Sequence, residues 1–562
     1  MAVENRILQG IGVSPGSAYA PAVLVAPPVQ APADEPAPSD ANSALLEVKA
    51  AFESVATELD ARAAAAPKTA AQILSATALI ARDKGLHKAA GKHLAGGNGP
   101  ANAVHLAVEE YVLQFEALGD YFAERVTDLR DVGARAISVL LGLPAPGVPT
   151  LAQRSIVVAL DLAPVDTAVL DKALVAGIVT QAGGRNSHTA ILAAQMGIPA
   201  VVHCAGALDI EIGTALSIDG DTGEVLIDPE PEIVAALADR DAKRADVLSS
   251  STGTGSTSDG HAVALLANIG GVDDAVAAAA TDVEGVGLFR TEFVFLSAKK
   301  APMLQEQTDI YTKVFEPFGH DRRIVVRTLD AGADKPLAFA DLGEEENPAL
   351  GRRGLRLSQA RPELLQTQLE ALGAAASATG ADVRVMAPMV ATLDEASWFA
   401  EQVAAAGLPT SGVMIEVPAA ALSARHVLGP VDFGSLGTND LAQYTMAADR
   451  MEGALSDLLD PWQPAVLSVI KAACDGAAEL AKPIGVCGES GGDPLMALVL
   501  TGMGVGSLSM APSKVAIVRF ALSRHSLQEC RRLAALALSA PTAADALDAV
   551  RTAADAELVA IL

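Results

Sequence analysis

The hydrophobic rhythm of the chain changes three times along its length. Residues 1–26 carry short apolar stretches around the turn Ser14–Pro15–Gly16, which predicts brief strands. The Pro-rich run PPVQAPADEPAPSD (27–40) breaks that pattern. From residue 40 to 142 polar and apolar residues recur at i+3 and i+4, the period of amphipathic helices, with Gly96–Pro100 dividing the run. Strand-like sequence returns in SIVVAL (155–160) and AGIVTQAGG (176–184). A helical domain inserted into an α/β domain accounts for this order with the fewest breaks. PEIVAALADRDAKRADVL (231–248) predicts a helix, and SSSTGTGSTSDG (249–260) has the composition of a flexible linker.

Beyond residue 260, short apolar strands alternate with helical segments: VALLAN, GVGLF, IVVRTL, VRVMAP, GVMIE, FGSLG, IGVC and GSLSM. Eight strand candidates over about 300 residues predict a (β/α)8 barrel, in which chemistry sits at the carboxyl ends of the strands. Asn268, Arg290, Arg327, Glu416, Asn439 with Asp440, and Cys487 all fall at those ends. The expected architecture is multidomain α/β. Residues 1–26 and 146–230 form an α/β domain, 27–145 a helical insert, 231–260 a linker helix and hinge, and 261–562 the barrel.

Composition narrows the function. Half of the 562 residues are apolar (51%) and 19% are charged, as in globular domains. Aromatics at 3% and a net charge of -28 argue against a nucleic-acid partner, which calls for clustered cations and stacking rings. An anionic substrate remains compatible, because charges beyond about 8 Å are screened at physiological salt and a local Arg cluster can dominate. The four cysteines show no CxxC spacing, so neither zinc nor a disulfide framework is expected. The N-terminus lacks a basic and apolar leader, and no uninterrupted apolar run approaches membrane-spanning length, so a cytoplasmic protein with no membrane insertion is expected.

The segment GGRNSHTAILAAQMGIPAVV has a Gly-Gly turn, a polar run and then a helix opening at His188. Ser187 and Thr189 are placed to cap its first turn, where backbone N–H groups lack partners and the helix dipole is positive. That end suits a phosphoryl group, and neutral imidazole is a competent nucleophile near pH 7. This segment resembles the phosphohistidine motif of the phosphoenolpyruvate-utilising enzymes. VDFGSLGTNDLAQYTMAADR (431–450) resembles that family's second signature along almost its full length. Size and order resemble the Enzyme I group within the family, including ERVTDLRDVGARAISVLLG in the insert.

The resemblance implies a swivelling phosphohistidine domain with a helical insert that binds the carrier protein HPr. It also implies a phosphoenolpyruvate-binding barrel through which the chain dimerises. By the same resemblance His188 is the phosphoryl carrier, while Arg290, Arg327, Arg353, Asn439, Asp440 and Arg450 bind substrate. Lys335 joins them less directly. Glu416 and Asp440 match the family's Mg²⁺ ligands, and Cys487 matches the acid that protonates the enolate. Pyruvate phosphate dikinase and phosphoenolpyruvate synthase are the competing enzymes, but the first 180 residues contain no GxxxxGK[ST] loop. A regulatory protein without turnover is disfavoured by the completeness of the residue set.

Two departures from the family pattern stand out. Ala194 occupies a position where relatives usually carry Arg, and IARDKG (80–85) replaces an acidic run in the insert, leaving Asp83. Docking of a basic carrier is therefore expected to lean on apolar contacts around Leu79 and Ile80. The affinity of HPr for the full-length protein, followed by titration calorimetry, is expected to fall only slightly from low to high salt. A steep fall would signal docking by charge.

Overall fold

The computed structural model describes residues 6–562 except 26–28, 66–67, 117–122, 144–145, 150, 163–169, 185–186, 297, 299, 333–336, 338, 341–342, 344 and 451. The chain forms two compact units, Met1–Asp241 and Ala242–Leu562. The first contains strands β1 (Arg6–Gln9), β2 (Ile11–Ser14), β3 (Ser17–Leu24), β4 (Ser155–Ala159), β5 (Val175–Thr180), β6 (Ala200–Val202), β7 (Ala215–Asp219) and β8 (Glu224–Ile227). They make one sheet in the order β1-β8-β7-β3-β4-β5-β6-β2. Strands β3 to β6 run parallel, while β7, β8, β1 and β2 pair antiparallel at the flanks.

Strands β4 and β5 are buried along their whole length, which is why they read as continuous apolar runs. Successive residues enter opposite faces: Ile156 and Val158 join one core, Val157 and Ala159 the other. The β7–β8 turn is closed by Gly223, whose φ of +80° is left-handed. A Cβ there would lie 2.3 Å from the carbonyl oxygen of Gly10.

Between β3 and β4 lies the helical insert: α1 (Ala41–Ala65), α2 (Lys68–Ala81), α3 (Lys84–Ala95), α4 (Pro100–Glu116) and α5 (Ala123–Leu141). Val48, Phe52, Val55 and Leu59 line one stripe of α1 and pack in one core with Val104, Val108 and Val112 of α4 and Leu129 and Val132 of α5. Small residues bring the helices close. A Cβ on Gly133 would meet Val108 at 2.7 Å. The Pro-rich run before α1 is anchored by Glu35, whose carboxylate accepts the backbone N–H groups of Ala101 (2.9 Å) and Asn102 (2.8 Å) at the start of α4. Asp83 is the N-cap of α3, accepting Leu86 N–H at 2.8 Å, so part of its charge serves the helix. Leu79 is 69% exposed, whereas Ile80 is half-buried against the core of the insert.

The second unit is a closed barrel of eight parallel strands, as the sequence pattern predicts. These are β9 (Ala264–Ile269), β10 (Gly285–Arg290), β11 (Arg323–Arg327), β12 (Val383–Ala387), β13 (Ser411–Ile415), β14 (Phe433–Leu436), β15 (Ile484–Val486) and β16 (Ser507–Met510). Ile324 and Val326 of β11 join the large core, while Val325 joins Leu288, Met386, Met414, Phe433 and Cys487 in a second cluster. The multidomain α/β class and the barrel thus agree with expectation. Among the described residues no helix is long and apolar enough to cross a membrane.

Helix α7 (Pro231–Ser250) has no buried residue. Its first half is tied to the sheet. Arg240 donates to Asp219 at 2.6 Å, and Asp241 accepts both the N–H (2.9 Å) and the hydroxyl (2.5 Å) of Ser17. The Ser/Gly/Thr run after it, flexible by composition, is fixed on the barrel unit. Ser251 donates to the Ala516 carbonyl, Gly255 N–H to Glu284, and Ser258 N–H to the His525 carbonyl, all within 2.9 Å. Small polar residues here serve close backbone pairing rather than freedom. Gly223→Ala should destabilise the N-terminal unit by about 1–3 kcal/mol, read as a lower first transition in calorimetry.

Candidate functional site

The first centre lies where β5 ends. Gly183 turns the chain with φ +87°, and Ser187 N–H returns to the Gly184 carbonyl at 3.0 Å. Helix α6 (His188–Met196) then opens at the predicted histidine. Ser187 is its N-cap, its hydroxyl accepting Ala190 N–H at 3.2 Å. Thr189 does not cap. Its fully buried hydroxyl donates to Asp161 at 2.8 Å, fastening the first turn to the loop after β4. The imidazole of His188 and residues 185 and 186 lie outside the described structure. Ala194 is exposed on this helix. His203 went unnoticed in the sequence. It holds φ +52° just past β6 and donates its N–H to the Ala182 carbonyl at 3.4 Å, beside the Gly183 turn.

The second centre lies at the carboxyl end of the barrel. Because all eight strands are parallel, residues closing or following them share one rim. Arg290 closes β10 and is exposed. Arg327 closes β11 and is 7% exposed, with Nη2 donating to Glu292 at 2.9 Å and Nη1 facing Asp330 at 3.3 Å. Burial opposes the charge of Arg327, but Glu292 and Asp330 outweigh it and hold the guanidinium pKa above its ordinary value. Arg353 is 1% exposed. Its five N–H donors are all directed: Nε and Nη2 to the two oxygens of Asp330 (3.0 Å each), Nη1 and Nη2 to those of Asp440 (3.2 Å each), and Nη1 to the Tyr444 hydroxyl (3.4 Å).

Helix α8 (Thr438–Met446) follows β14 and carries Asn439 and Asp440 in its first turn. Asn439 exchanges hydrogen bonds with Glu489, its amide donating to the carboxylate and its oxygen accepting Glu489 N–H, both at 3.1 Å. Arg450 reaches Asp440 at 3.9 Å and is positioned through its N–H on Gln443 at 3.0 Å. Glu416, just past β13, is 1% exposed and accepts the N–H of Met389 at 2.6 Å. Met389 itself has φ +58°. Asn268 receives a hydroxyl bond from Ser509 at 2.5 Å and donates to the Cys487 carbonyl at 3.2 Å.

Glu416 and Cys487 also have displaced proton affinities. Burial, followed by the charges of Asp440 and Asp330, pushes the carboxyl of Glu416 up to about 8. Burial pushes the Cys487 thiol up to about 11, so it holds its proton near neutrality. Among the described residues no group of three or more His, Cys, Asp or Glu could hold a metal ion. The pair Glu416 and Asp440 nonetheless suits Mg²⁺, which takes one or two carboxylates with substrate oxygens and water. An acid held protonated by burial and then by a neighbouring carboxylate leaves that pair short of positive charge. Gly437 leaves room beside it, since a Cβ there would lie 2.8 Å from Oε2 of Glu416.

The barrel rim therefore gathers Arg327, Arg353, Glu416, Asp440, Arg450 and Cys487, with Arg290 near enough to influence the thiol. Lys335 lies outside the described residues. Glu292, Asp330 and Tyr444 were missed in the sequence. A signal was present: LFRTEF and VVRTLD each place an acid two or three residues after a strand-end Arg.

Comparison with known proteins follows the same division. The description "PEP-utilising enzyme, N-terminal" matches residues 9–125, the "mobile domain" of those enzymes 151–223, and their "PEP-binding domain" 244–527. A phosphoenolpyruvate-protein phosphotransferase of Streptomyces coelicolor is 47% identical over 98% of this chain and 99% of its own. A protein of the same name from Haloferax volcanii is 39% identical over 97% of this chain and 98% of its own. A multiphosphoryl transfer protein of Xanthomonas campestris is 38% identical over 95% of this chain, but only 65% of that longer protein is covered.

The raised Glu416 pKa predicts a pH signature in metal-free protein. The folded state keeps this carboxyl protonated up to about 8, whereas the unfolded chain releases the proton near 4.5. The folded state thus binds more protons between those values, and this group's contribution to stability falls as pH rises through the window. Glu416→Gln should therefore gain thermal stability over the parent protein progressively from pH 5 to pH 8, measured by calorimetry in chelator.

Proposed function

The chain belongs to the phosphoenolpyruvate-utilising enzymes and is a phosphotransferase, and we propose that it moves the phosphoryl group of phosphoenolpyruvate to His188 and then to a histidine of the carrier protein HPr, releasing pyruvate. The observation that carries this is the near-complete overlap with phosphoenolpyruvate-protein phosphotransferases, 47% identical over 98% of the chain. Dikinase chemistry lacks a comparable observation.

In the proposed reaction a ring nitrogen of neutral His188 attacks phosphorus as the bond to the enol oxygen breaks. Arg290, Arg327 and Arg450 neutralise the phosphoryl oxygens, with Arg353 and Asn439 completing the rim. Glu416 and Asp440 would hold Mg²⁺, which when bound supplies charge neutralisation to the substrate oxygens. Cys487 gives its thiol proton to the methylene carbon of the enolate, yielding pyruvate, and regains a proton from solvent. Its high pKa keeps that proton available before the enolate forms.

On the N-terminal unit, the Ser187-capped first turn of α6 is a helix start of the kind that favours a phosphoryl group. His188 and the barrel rim lie on different units, so turnover requires them to meet, with α7, which has no buried residue and joins the two units, as the proposed hinge. The helical insert, with its exposed Leu79, is the proposed dock for HPr. A cytoplasmic homodimer joined through the barrel completes the proposal by family likeness.

Labelled phosphoenolpyruvate with Mg²⁺ should place acid-labile label on the parent protein that chases to HPr and is lost in His188→Ala. Label retained in that variant would overturn the assignment. Cys487→Ala should still exchange phosphoryl groups with phospho-HPr while pyruvate formation from phosphoenolpyruvate falls about 100-fold or more.

A further inference from the structure

The four residues from Arg327 to Asp330 end in a carboxylate that the proposed reaction gives no role and that burial disfavours. Asp330 is fully buried. Its Oδ1 accepts Arg353 Nε at 3.0 Å, and its Oδ2 accepts Arg353 Nη2 at 3.0 Å while facing Arg327 Nη1 at 3.3 Å. Its own N–H donates to Glu292 at 3.0 Å, the carboxylate that also receives Arg327. Backbone space is kept for it. Gly354 has φ +59°, and a Cβ there would stand 3.2 Å from Oδ1 of Asp330 and 3.1 Å from Cβ of Met389.

We propose that Asp330 is a positioning residue for phosphoryl transfer: its buried carboxylate is the shared counter-ion that fixes the guanidinium planes of Arg327 and Arg353. Two neighbouring guanidinium groups repel each other, and without a carboxylate between them each would turn toward other acceptors. With Asp330 in place, Glu292, Arg327, Asp330, Arg353 and Asp440 form a line of alternating charge. Arg327 keeps a buried Nε–H with no partner among the described residues, a donor available to a substrate oxygen. The far edge of Arg353 holds Asp440 by both oxygens, so Asp330 also fixes, through Arg353, the carboxylate proposed to bind metal. Asp330 does not touch the reacting atoms in this account. Its effect is on how accurately the arginines meet phosphoenolpyruvate.

The proposal rests on the phosphotransferase assignment, and one experiment separates the two. Steady-state kinetics of the full-length protein with phosphoenolpyruvate, Mg²⁺ and HPr would be run for the parent, Asp330→Asn and Arg353→Lys. Phosphoryl exchange from phospho-HPr, which does not use the barrel, would be measured alongside. The parent must turn over; if it does not, the assignment itself falls. Given turnover, Asp330→Asn is expected to raise KM for phosphoenolpyruvate about tenfold or more while exchange from phospho-HPr stays unchanged. A structural role alone would lower the active fraction, and hence kcat, with KM unmoved. An unchanged KM in folded Asp330→Asn overturns the proposal. If that variant fails to fold, Arg353→Lys decides: it retains the charge and loses the fork, and it is expected to raise KM similarly. An unchanged KM there overturns the proposal as well.

Discussion

The bidentate pairing of Arg353 with Asp330, extended on either side to Arg327 and Asp440, is the contact on which the barrel centre depends. Ions stripped of water are tolerated only when each is paired and hydrogen-bonded, and a lone one would discharge or turn away. Placing the charges in alternation gives each charged group an opposite neighbour. Removing one member leaves a buried charge without compensation, at a cost of roughly 3–5 kcal/mol. The arrangement is accordingly stiff. Stiffness is what a phosphoryl-transfer centre needs, since its donors must stand where charge develops before the substrate arrives.

The two centres proposed to hold the phosphoryl group are built on different physics. At α6 the described residues offer the backbone N–H groups of a helix capped by Ser187. At the barrel rim the donors are guanidinium groups backed by buried carboxylates. A net charge of -28 does not oppose either, because the surface charge is screened while the buried groups act over a few ångströms.

Much of this was legible in the sequence where chemistry and local pattern coincide. The eight barrel strands were readable as apolar runs because both of their faces are covered, and the opening of α6 was readable from Ser187 because an N-cap is a local event. Other readings failed for equally physical reasons. Thr189 looked like a second cap, but a buried hydroxyl takes the acceptor that folding brings to it, here Asp161 from a segment 28 residues earlier. The Ser/Gly/Thr run looked like a free linker, yet the same small residues let the backbone approach Glu284 and His525. Asp83 looked like a surface charge and serves instead as a helix cap.

By itself, then, the sequence determined on which strand end or helix turn each candidate residue sits, since those are properties of short segments. It did not determine how they are paired. Arg327 and Arg353 are 26 positions apart, and Arg353 meets Asp440 across 87 more. Only closure of the barrel brings those segments to one rim, where exclusion of water makes each charge choose a partner. Arg353 could be recognised as a phosphate-binding type from its motif. That its five donors are already committed, to Asp330, Asp440 and Tyr444, is decided by tertiary burial alone.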